Sequence, residues 1–134
     1  MRDVDTIVVH CSASPQGRGD DAETIHAWHQ ERGFDGIGYH YVILEDGTVQ
    51  TGRPEYWAGA HVRSHNDNSL GICLIGEGGD ATPEQMLSLR NLVLGLYHKY
   101  SGPVVCGHND LDHHKSCPGF SVSLWWQQVQ TSDF

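Results

Sequence analysis

Three residues of this chain have side chains that together can hold a metal ion: His10, His108 and Cys117, the last within Lys115-Ser116-Cys117-Pro118-Gly119. Two imidazoles and a thiolate form one of the three-ligand sets in which zinc keeps its fourth tetrahedral position for water. Such a centre is hydrolytic. The cation deprotonates the thiol outright, and two neutral imidazoles leave the site net positive, able to acidify a bound water. Spacing alone is a weak signal, because these ligands do not form a compact run such as His-Glu-x-x-His. A histidine after a strand is more often an ordinary polar residue, and a single cysteine more often a small inert hydrophobe. The inference depends on elements that bring two distant histidines together.

Thr6-Ile7-Val8-Val9 is a β-branched run that predicts a buried strand ending at His10. Ser12 to Asp20, with Pro15, Gly17 and Gly19, reads as a loop at the rim of the site. Asp21 caps a helix to about Arg32, with Ile25, Trp28 and His29 on one face and Gly33 as its stop. Tyr39 to Leu44 and Thr48 to Thr51 flank Glu45-Asp46-Gly47, a hairpin signal. Arg53 to Asn68 lacks any period and predicts a long functional loop before the strand Leu70 to Ile75.

Thr82-Pro83-Glu84-Gln85 supplies an N-cap, a first-turn proline and a capping-box Gln. Met86, Leu89, Val93, Leu96 and Tyr100 then follow at helical spacing, up to Gly102-Pro103. Val104-Val105-Cys106 predicts a last strand that delivers His108, and Ser121 opens a helix with Val122, Trp125, Trp126 and Val129 on its core face. The fold class is α/β: a central mixed β-sheet flanked by helices. Each histidine ligand would follow a short buried strand, so neighbouring strands would bring both to one sheet edge.

At 134 residues the chain suits one domain, spanning 1–134, with a single core. A net charge of -9 argues against a general nucleic-acid binder. No apolar run predicts a membrane span, and Met1 to Asp5 carries no signal-peptide core, so synthesis in the cytoplasm without an export signal is expected. Cys11, Cys73, Cys106 and Cys117 read as free thiols with one metal ligand among them. Most of the 10 histidines are expected to be surface or packing residues.

Six short motifs occur in order: Val9-His10-Cys11-Ser12-Ala13, Gly38-Tyr39-His40-Tyr41, Asp46-Gly47-Thr48, Gly59-Ala60-His61, Asn68-Ser69-Leu70-Gly71-Ile72 and Lys115-Ser116-Cys117-Pro118-Gly119. The ordered set resembles the type 2 N-acetylmuramoyl-L-alanine amidases, which are similar to peptidoglycan recognition proteins. The small size, the paired tryptophans and the Thr131-Ser132-Asp133 tail look most like the single-domain phage endolysins called phage lysozymes. The resemblance implies one zinc ion on His10, His108 and Cys117, with Tyr39 and Lys115 as catalytic partners and His61 contacting substrate. His113 and His114 compete with His108, because the stretch before Cys117 is a residue longer than in phage relatives; His108 is favoured because it directly follows a strand.

The implied reaction cuts the amide between N-acetylmuramic acid and L-alanine of bacterial peptidoglycan. The implied setting is a monomer made in the host cytoplasm and released to the periplasmic wall through a separate pore-forming protein. Some phage relatives also inhibit their phage's RNA polymerase through an extension before the first strand, and here only a few residues precede Thr6. Two other classes compete: a cysteine hydrolase built on Cys117, and a peptidoglycan-binding module without catalysis.

Overall fold

Five short apolar or β-branched segments form one sheet in this computed structural model, which describes residues 2–132. Met1, and the Asp133 of the expected tail, lie outside the described residues. The strands are β1 (Thr6–Cys11), β2 (Tyr41–Ile43), β3 (Val49–Thr51), β4 (Ser69–Leu74) and β5 (Val104–Gly107). Their order across the sheet is β3-β2-β4-β1-β5, with β3 antiparallel to β2 and the other neighbours parallel. The expected mixed sheet is present.

Alternation along β1 decides what each face carries. Ile7 and Val9 point to a core shared with Leu89, Val93 and Leu96 of α2 (Pro83–Lys99) and Val122, Trp126 and Val129 of α4 (Val122–Thr131). Val8 and His10 therefore point the other way. On that second face α1 (Ala22–Glu31) covers only the β2–β4 half, packing Ile25 against Val42, Cys73 and Ile75. The β1–β5 half is closed by Val62 and Leu111 around Val8 and Cys106. A cleft is left between these two covers, and His10 lies in it.

Local signals set the helix ends. Asp21 Oδ1 accepts the Thr24 amide at 2.9 Å, and Gly33 at φ 90° follows the last turn. Thr82 and Gln85 form the reciprocal capping box. Gln85 has a second role that its polarity hid: fully buried, it donates to the Ile43 and Ile75 carbonyls and so ties α2 to two strand ends. Two differences from sequence expectation concern the site. Tyr39 and His40 precede β2 instead of belonging to it, and His108 opens a four-residue helix, α3 (His108–Leu111). The 53–68 segment contains one 3-10 turn, Asn66–Asn68. Arg2 pins that segment by donating to the carbonyls of Glu55, Asp67 and Ser69.

Candidate metal centre

His10 and His108 meet because β1 and β5 pair in parallel, with Val9 opposite Gly107. Their rings lie 4.7 Å apart between centroids. The pairing stops there, before β1 reaches Cys11. Ser12 donates to Leu74 on the β4 side, so the Cys11 N–H points to the side β5 has vacated. Cys117 Sγ accepts that N–H at 2.9 Å. An amide hydrogen bond favours a thiolate, so the edge of β1 is built to receive one.

The segment after His108 folds back to make this contact. Asn109 N donates to the Cys117 carbonyl at 2.9 Å, and Gly79 N donates to Pro118 O at 3.1 Å. Gly119, at φ 88°, crosses the Gly78–Gly79 backbone so closely that a Cβ there would collide with it. Candidate ligand atoms of His10, His108 and Cys117 thus lie within 4.8 Å of one another. Two imidazoles and a thiol at this separation suit one tetrahedral zinc, and a mutual approach this close leaves room for a single cation. His113 and His114 are both exposed, outside that group.

Among buried residues the neighbours of His10 are unusual. His10 is 1% exposed, and burial, then His61 and His108, hold its imidazole well below its ordinary value. Burial, then Lys115, lowers His108. Burial also takes His61 down to about 3. All three are thereby kept neutral, the state that binds metal. The Cys117 thiol is pushed up by its hydrogen bond with the Cys11 thiol and by burial, so a bound cation is what would ionise it. Tyr39 stands 5.1 Å from His10 between ring centroids; burial, then the nearby thiols of Cys73, Cys117 and Cys11, keep its phenol protonated.

The cleft around these groups encloses about 680 Å³. Lys115, Arg32 and Arg63 line it, and no Asp or Glu does among the described residues. In a chain of net charge -9 this is a local reversal of sign. Lys115 is exposed at the mouth. His61 lines the cleft and also sits behind His10, its Nδ1 2.8 Å from His10 Nε2. Its ring lies flat over Gly71, where a Cβ would come within 2.6 Å. Sequence reasoning had no access to Arg32, Arg63 or the Cys11 amide, since each acquires its role only from the tertiary arrangement.

Known proteins are similar to this chain in sequence and in fold. The family model described as N-acetylmuramoyl-L-alanine amidase matches residues 1–120. The endolysin of Escherichia phage T7 is 41% identical over 96% of this chain and 91% of its own length. The solved N-acetylmuramoyl-L-alanine amidase LysC from Clostridium intestinale superposes with a TM-score of 0.85 at 31% identity, covering 96% of this chain and 85% of that one. Drosophila PGRP-LB superposes at 0.80 with 26% identity, covering 100% of this chain and 84% of its own. A match that runs from the first strand through Tyr39 to the cysteine loop shows that the chain belongs to the N-acetylmuramoyl-L-alanine amidase family.

Proposed function

We propose that this protein is a zinc-dependent endolysin that hydrolyses the amide between the lactyl group of N-acetylmuramic acid and L-alanine of the stem peptide. The observation that carries the reading is the His10, His108 and Cys117 donor set, gathered within 4.8 Å at the floor of a cation-lined cleft. Zinc, when bound, supplies a Lewis acid and a water of pKa about 7. The chain supplies the rest. Cys11 N–H holds the Cys117 sulfur in place as a ligand. Lys115 at the mouth stabilises negative charge as it grows on the scissile carbonyl oxygen. Tyr39, a neutral phenol beside His10, orients the attacking water. Arg32 and Arg63 attract the carboxylates of a stem peptide.

The enzyme acts as a single catalytic domain and a monomer. It reaches the wall from the cytoplasm through a pore made by another protein. No helix among the described residues is long and apolar enough to cross a membrane by itself.

Zinc-loaded protein incubated with purified peptidoglycan should release stem peptides with a free L-alanine amino terminus, identified by mass. Full activity after complete metal removal would overturn the zinc reading. Release of disaccharides without free stem peptides would overturn the amidase reading.

A further inference from the structure

A buried serine at the start of β4 has no place in the chemistry above, yet it touches a ring that touches a ligand. Ser69 is fully buried, and its Oγ lies 2.7 Å from the His65 carbonyl and 3.2 Å from His61 Nε2. A carbonyl can only accept. The single hydroxyl proton of Ser69 is therefore committed to His65 O, and Ser69 Oγ must accept from His61 Nε2–H. A neutral imidazole carries one N–H, so His61 Nδ1 is bare. The 2.8 Å contact between His61 Nδ1 and His10 Nε2 needs one proton between them, and only His10 can provide it. Neutral His10 then has its other nitrogen, Nδ1, bare.

Two surroundings keep this order from reversing. A doubly protonated His61 would need a counter-charge, but no carboxylate lines the cleft among the described residues, while Arg32, Arg63 and Lys115 do. The His61 ring also cannot easily turn over: it rests on Gly71, and its own backbone N–H is held by Asn66 Oδ1 at 2.9 Å.

We propose that Ser69 and His61 are positioning residues for the metal centre. Their one-way chain, His10 Nε2–H to His61 Nδ1 and His61 Nε2–H to Ser69 Oγ, selects Nδ1 of His10 as the atom that takes the cation. The inference rests on the zinc reading of the site. It gives the Asn68-Ser69-Leu70-Gly71 run a chemical role, in which Gly71 makes room for the His61 ring and Ser69 sets the direction of its protons.

The test is nitrogen-15 NMR of histidine-labelled protein, free and loaded with cadmium-113. Metal-free protein should show His10 and His61 both as Nε2–H tautomers, and cadmium should couple to His10 through Nδ1. Ser69→Ala should weaken zinc binding about 10- to 100-fold in a chelator competition, the range for partners behind a ligand. His61→Gln, whose amide can accept from His10 and donate to Ser69, should bind zinc more tightly than His61→Leu. An Nδ1–H tautomer of His10, or cadmium coupling through Nε2, overturns the proposal. So does unchanged zinc affinity in both Ser69→Ala and His61→Leu. If no metal bound at all, the zinc reading would fail, and the tautomers of the metal-free protein would still decide the chain.

Discussion

The histidines of the cleft and those of its wall differ in what occupies their ring nitrogens. On the wall, His29 Nδ1 accepts the Gly38 amide at 2.8 Å and His40 Nδ1 the Gly71 amide at 3.0 Å. These rings cap backbone donors that irregular backbone and strand ends leave unpaired, and their acceptor nitrogen is used up. In the cleft, His10 meets only His61, and the His108 ring has no hydrogen-bond partner among the described residues. An imidazole becomes available to a cation when the backbone makes no claim on it. Burial does not distinguish them, since His10 in the cleft is as buried as His29 and His40 on the wall. A ring free of backbone partners is what His10 and His108, the two candidate ligands, have in common.

Substitutions should separate the two groups by what they damage. Cys117→Ser should give the largest effect: zinc below stoichiometry by elemental analysis and stem-peptide release down by about 1,000-fold or more, since it removes a ligand and not a partner behind one. Full zinc content in that variant would break the division. Lys115→Ala should reduce kcat by about 100-fold, the scale for one oxyanion donor, with zinc content and unfolding midpoint unchanged. His40→Ala should do the reverse. It strands the buried Gly71 amide, at a cost of about 2 kcal/mol in urea unfolding, and should leave zinc stoichiometry intact.

The last effect is a pH slope. Burial lowers His29 and His40 to about 4, below the roughly 6.5 of an unfolded histidine. Between those values the unfolded chain binds more protons, so stability is fully present above about pH 6.5 and is lost as pH falls toward about 4. For each ring the slope reaches at most about 1.4 kcal/mol per pH unit. Unfolding measured across that window on metal-free protein should show it, and His40→Ala should flatten it in part. An equally steep slope in the variant would exclude His40 as its source.

Elements whose signals are local are legible in the sequence. Asp21, Gly33 and the Thr82–Gln85 box mark helix ends through bonds within a few residues, and the β-branched runs mark β1 and β5. The candidate ligand set is only half legible. Residue types single out His10, His108 and Cys117, but their meeting depends on parallel pairing across about a hundred residues, which no local pattern encodes. The roles of Gln85, His40 and Ser69 are hidden for the same reason: each satisfies a backbone group or ring supplied by a distant segment. Tyr39 looks like strand because its neighbours are aromatic, yet the chain there is held by His29 and by the Gly71 ladder bond to His40.

The three candidate ligands do not stand on equally firm ground. His10 belongs to β1, which is paired along both edges, whereas His108 and Cys117 sit on one short segment fastened by a few bonds to Cys11 and Gly79. Escape of a cation would then follow the opening of residues 108–119 alone, while the amide of His10 exchanged its hydrogen among the last in the molecule. A substitution that raises the global melting temperature would leave metal exchange as fast as before. One that tightens the Gly78–Gly119 crossing would slow it.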